Sequence, residues 1–175
     1  MKTLELWKER AMQRMTDDWY RLLRASHYLG YHTRPAMSYD FDQARDFSLV
    51  TSNAKEVKDA QDLLKRGTGM EAAIWVIEGL HGSTGTEYYL REVFHPTSIA
   101  PAHPGDAPGA RKKFDWRLNG AGQRFSRDVR LDHHPWFPAF LEDNGNFGFG
   151  LRFLRDQDVK DEFLKLARPY FVADR

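Results

Sequence analysis

Apolar and polar positions alternate most clearly over residues 71–99, where two β-rich runs flank a Gly/Ser/Thr loop. In the first run Ile74 and Val76 point one way, and Ala73, Trp75 and Ile77 the other. Both sides are apolar, which predicts a central strand covered on two faces. The second run sets Tyr88, Leu90, Glu92 and Phe94 on one face and Glu87, Tyr89, Arg91 and Val93 on the other, the pattern of a half-buried strand. Gly79, Gly82 and Gly85 suit the connecting loop. The expected product is a hairpin with Trp75 facing Tyr88 or Tyr89.

Helical spacing marks three other segments. Leu4, Trp7, Ala11, Met15, Trp19 and Leu22 recur at three- and four-residue steps opposite Lys8, Arg10, Arg14, Arg21 and Arg24. They predict an amphipathic helix over residues 4–24, or two helices if Thr16-Asp17-Asp18 caps a second one. The box Asn53-Ala54-Lys55-Glu56 opens a helix with Val57, Ala60, Leu63 and Leu64 inward and Gly67 at its end. Asp156 caps a last helix with Val159, Phe163 and Leu166 inward, stopped by Pro169. Between these, residues 27–39 read as a connector broken by Gly30 and Pro35, and residues 47–51 as a strand. Pro96, Pro101, Pro104 and Pro108 predict a long irregular loop over residues 95–113. Residues 114–118 alternate as a strand, Asn119-Gly120 is a hairpin-turn pair, and residues 125–131 would return. Residues 133–140 form a proline-punctuated corner, and residues 146–154, with glycines between phenylalanines, suit one more strand. The expected fold is α+β in a single domain, 1–175. A curved, mostly antiparallel sheet, or a small partly open barrel, is flanked by N-terminal, middle and C-terminal helices.

Composition narrows the chemistry. A chain of 175 residues suits one domain with a real core. The absence of cysteine excludes disulfides, thiolate catalysis and cysteine-based zinc or iron–sulfur sites. No apolar run reaches membrane-spanning length and the N-terminus lacks a signal-peptide core, so a cytoplasmic protein without a membrane partner is expected. Net charge is +1, yet Arg111, Lys112, Lys113, Arg117, Arg124, Arg127 and Arg130 face only Asp115 and Asp128, a local balance of +5.

That basic segment, interleaved with Phe114, Trp116 and Phe125, carries the leading reading. Cations neutralise phosphates, and rings stack on unpaired bases. A nucleic-acid-binding module is expected, with Arg111, Lys112, Lys113, Arg117, Arg124 and Arg127 as cations and Trp116 stacking on an unpaired or modified base. By analogy its inventory resembles the small PUA-like barrels that read modified or extruded bases. No cofactor is expected.

Two alternatives stand beside it. Asp132-His133-His134, followed by Asn144 and Asn146, resembles the ββα-metal nuclease pattern over those few residues, although no His or Asn follows at the distal ligand position. It implies a metal-assisted hydrolase or nuclease with His133, His134 or His95 as base and Asp132 as orienter or metal ligand. The elements His81-Gly82-Ser83 and His95-Pro96-Thr97 are similar to those of 2H phosphoesterases, but sit within one hairpin rather than in separate halves. The loop 81–86 lacks the lysine of a phosphate-binding loop. Tyr28, Tyr31, His32 and Arg34 with Asp40 and Asp42 make a further candidate pocket. Trp136, Phe137 and Phe140 suggest a protein-interaction subunit or homo-oligomer.

Overall fold

The computed structural model describes residues 2–34, 40–43, 46–66, 71–107, 110, 113–147 and 150–172, with side chains from residue 12 onward except 146. It is an α+β fold: helices flank a six-stranded mixed sheet that curls into a half-barrel. In chain order the elements are α1 (Lys2–Arg24), β1 (Ser26–Thr33), β2 (Phe47–Thr51), α2 (Ala54–Arg66), β3 (Ala72–Gly82) and β4 (Gly85–Pro101). Then come β5 (Trp116–Arg124), α3 (Phe137–Asp143), β6 (Arg152–Phe153) and α4 (Gln157–Phe171). The strand order is β2-β5-β4-β3-β1-β6; β1 runs parallel to β3 and the other pairs are antiparallel.

β3 is central because both of its faces find apolar cover. Trp75 and Ile77 join an outer core with Leu22 of α1, Ala25 just after that helix, Phe137 and Phe140 of α3, and Phe163 and Ala167 of α4. Ile74 and Val76 join an inner core with Tyr28, Leu49, Phe94 and Leu118, stoppered by Val57 and Ala60 of α2. The sheet ends approach one another around this inner core. The Leu151 N–H donates to Thr51 Oγ1 at 3.1 Å, and Asn53 Nδ2 donates to the Leu151 carbonyl at 2.8 Å. Gly30 makes room for this curvature: a Cβ there would lie 2.7 Å from Leu49 Cδ2.

Several elements depart from the sequence expectation. Residues 27–33 belong to β1 rather than to a connector, because Gly30 accommodates Leu49 across the barrel instead of breaking the chain. β4 continues to Pro101, so the expected loop begins only at residue 102 rather than at residue 95. Its Pro96 borders a register irregularity between Pro96 and Ser98, where a missing N–H is tolerated. β5 runs straight through Asn119-Gly120, which makes no hairpin, and residues 125–131 add only a bridge between Arg130 and Tyr89. Trp75 lies opposite Val93, not a tyrosine. An irregularity between Val76 and Ile77 changes the phase of the pairing, so Leu90 joins the outer core while Phe94 joins the inner one.

The helices fare differently. α1 is one helix: Thr16 Oγ1 donates to the Met12 carbonyl, an interior turn rather than a cap. Asp156 accepts from the Asp158 and Val159 amides as a cap should, but α4 continues past Pro169 to Phe171. The corner at 133–140 leads into α3, and of the strand expected over 146–154 the described residues form strand only at Arg152–Phe153, while residues 148 and 149 lie outside them. Gly67 lies outside the described residues.

Candidate functional site

The described residues of the basic segment do not form a face of bare cations. Arg117, on β5, donates to Asp106 and Asn119. Arg124 reaches Glu92 at 3.2 Å and the Asp46 carbonyl at 3.3 Å. Arg127 meets Asp42 at 2.5 Å, while Arg130 meets Asp132 at 2.8 Å and Glu87 at 3.1 Å. The neutralising carboxylates come mostly from distant segments, which the local charge count could not register. Lys113 is exposed, and its ammonium has no partner among the described residues. Arg111 and Lys112 lie outside those residues. Trp116 is half-buried against the inner core.

The histidine candidates separate. Burial pushes the Asp132 carboxyl up, but Arg130 and the Tyr88 amide outweigh burial and hold its pKa below the usual range. His134 stacks on Trp136 at 5.6 Å, and His133 is exposed. Among the described residues no three His, Asp or Glu side chains converge as a metal site. His81 bonds Thr86 at the hairpin tip, remote in register from His95, which lies beside Ala121. In the aromatic corner Phe137 and Phe140 are buried and Trp136 is half-buried, so those rings serve the core. The tyrosine-rich candidate divides as well. Tyr28 belongs to the inner core, Tyr31 packs on Tyr88 and Phe147 outside it, and Arg34 pairs with Asp40 at 3.6 Å.

What pattern reading missed is a charged cluster at the end of the barrel away from α2. Glu78 of β3 and Glu92 of β4 are 2% and 1% exposed. Arg91 donates to Glu78 at 2.8 Å and to Asp42 at 2.5 Å, and Asp42 also receives Arg127. Phe41, in a single 3-10 turn, has the Arg91 and Arg124 guanidiniums 4.9 and 5.5 Å from its ring centre and His32 edge-on at 5.4 Å. Burial drives the Glu92 pKa up to about 7 despite Arg124 and Arg91, and burial also raises Glu78 against the pull of Arg91. Arg91 Nε is buried without an acceptor. The signal available in the sequence was two glutamates at interior phases of otherwise apolar strands.

Two clefts flank the barrel. One, of about 350 Å³, opens beside the β4–β5 connection and is lined by Val50, Ala102, His103, Asp106, Lys113 and Phe114 among others. The other, of about 380 Å³, lies between α1, α4 and the outer face of β4 and β5, and includes His95. No protein-family model matches the chain, and no curated protein matches it in sequence.

Proposed function

We propose that the protein binds single-stranded nucleic acid and seats one unpaired base in the cleft beside the β4–β5 connection. The observation that carries this reading is Lys113. Within the described part of the basic segment its cation is the one not engaged by a carboxylate, and it lines a 350 Å³ cleft together with Phe114. That volume suits a single small planar ligand. Lys113 would meet a phosphate and Phe114 would offer apolar contact to the base. Arg111 and Lys112 precede Lys113 in the chain and would extend the phosphate track.

Asp106 supplies an acceptor for a base amine in the same cleft. Burial acts to raise its pKa, but the His103 amide and Arg117 prevail and keep it below the usual carboxylate range. The half-barrel plan is in keeping with small PUA-like barrels that take extruded bases, an argument from analogy. The reading carries with it a cytoplasmic place of action; among the described residues no helix is long and apolar enough to cross a membrane.

Fluorescence anisotropy with short labelled single-stranded DNA and RNA, across a salt series, tests it. Saturable binding at low salt is expected. Lys113→Ala should weaken it several-fold and lower the salt slope by about one unit. Arg117→Ala should leave that slope unchanged, because its guanidinium is already held by Asp106. No binding at low salt, or a Lys113→Ala slope equal to that of the parent, overturns the proposal.

A further inference from the structure

We propose that the cleft between α1, α4 and the outer face of β4 and β5 is a separate site for a small organic anion. Its ligand has a flat apolar body, an acidic group at one end and an O–H or N–H at the other. The site is independent of the nucleic-acid reading, since its residues lie on the opposite face of the sheet from the inner core.

The hydrogen-bonding end is set by His95. Its Nδ1 lies 2.9 Å from the Ala72 carbonyl, and because a carbonyl only accepts, that nitrogen carries the proton. Burial keeps the ring pKa below the ordinary histidine value, so the ring is neutral near pH 7. The lone pair therefore resides on Nε2, for which the described residues provide no donor. Glu71 Oε2, 3.5 Å from Nδ1, is itself gripped by Arg21 at 2.7 Å, which fixes the ring from behind. His95 thus offers the cavity one oriented acceptor.

The anionic end is set by α1. Arg21 is engaged with Glu71 and, at 3.6 Å, Asp18. Arg14, on the same helix and lining the same cavity, has no carboxylate partner among the described residues. Between the two ends Met15, Val93 and Phe171 give apolar wall, with Gln123, Tyr170 and the Arg21-paired Asp18 as the polar part of the lining. Space is left in the cavity because β5 places the small Ala121 directly opposite His95, where a longer side chain would fill it. A volume of about 380 Å³ holds a one-ring or two-ring molecule. A ring with its hydroxyl toward His95 and its acid toward Arg14 would satisfy both ends.

Two probes separate the kinds of acid: 4-hydroxybenzoate for a carboxylate and 4-hydroxyphenyl phosphate for a phosphate, with 4-hydroxybenzyl alcohol as the neutral control. Isotope-labelled histidine lets NMR follow the His95 ring nitrogens during each titration. One or both anions should shift the Nε2 resonance saturably below millimolar concentration, and whichever binds identifies the acid preferred. Ala121→Leu, at an exposed position, should abolish the shift while the thermal melt stays near that of the parent. Arg14→Gln should weaken the anion by about tenfold and leave the alcohol unaffected. Lys113→Ala should change none of this, which separates the two sites. Absence of any Nε2 shift at millimolar anion, persistence of binding in Ala121→Leu, or equal affinity for the neutral alcohol overturns the proposal.

Discussion

The His27 ring joins the last turn of α1 to the middle of β3, and both of its nitrogens are engaged. Nε2 donates to the Leu22 carbonyl at 3.0 Å, and Nδ1 accepts from Trp75 Nε1 at 2.8 Å. That pairing requires the neutral ring, since a protonated Nδ1 could not accept. Burial, with Lys160 adding to it, lowers the pKa to about 4 from 6.5. The unfolded chain therefore takes up the proton first as pH falls. The stability that His27 contributes is whole above about pH 6.5 and is lost progressively down to about pH 4. His27→Phe should leave the buried Trp75 N–H without an acceptor, costing roughly 1–3 kcal/mol near neutral pH. It should also flatten the dependence of stability on pH over that window. Urea melts followed by tryptophan fluorescence read both effects, and a variant that kept the parent's acid slope would refute the assignment.

At the scale of elements, success and failure of pattern reading have a common physical cause. β2, β3, α1, α2 and α4 announce themselves through their own residues, because amphipathic spacing and caps are local. β1 does not, and β5 does so only as far as Leu118, because their glycines answer to neighbours distant in sequence. A Cβ on Gly120 would lie 2.0 Å from the His95 carbonyl oxygen, and one on Gly122 would lie 2.0 Å from that of Val93. Asn119-Gly120 therefore marks a close approach of β5 to β4 instead of a turn. Gly120→Ala should push these strands apart and cost roughly 1–3 kcal/mol. Gly105→Ala, where a Cβ would meet nothing within 4 Å, should be nearly silent. Equal denaturation midpoints for the two variants would show that the close approach does not matter. The charged cluster was illegible for a related reason. Asp42, Glu78, Arg91, Glu92 and Arg124 come from four separate segments, and the phase change between Val76 and Ile77 brings Arg91 to the same side as Glu78.

Across the whole molecule the barrel is finished in two different ways. At one end α2 seals it with Val57 and Ala60; at the other, Phe41 sits among guanidiniums and carboxylates. Three carboxylates (Asp42, Glu78 and Glu92) meet three arginines (Arg91, Arg124 and Arg127), so the charged end is balanced only as a set. Arg91 is the member that ties Glu78 to Asp42. Arg91→Met should cost roughly 3–5 kcal/mol, because it leaves Glu78 buried without its cation. Glu78→Gln added to Arg91→Met should recover part of that loss, since the second change removes the stranded charge. The pH dependence carries a definite sign. A carboxyl whose folded pKa is raised, as for Glu92 at about 7, contributes stability that is full below its unfolded value near 4.5 and is lost as pH rises through about 7. Removing Arg91 takes away a cation that opposes the rise in both glutamates. The single variant should therefore lose more stability between mildly acidic and mildly alkaline buffer than the parent does, and the double variant less than the single. Chemical melts at the two ends of that range decide the matter: if Arg91→Met lost stability equally at both, the guanidinium would be acting through packing alone, and the balanced-set account of the barrel mouth would fall.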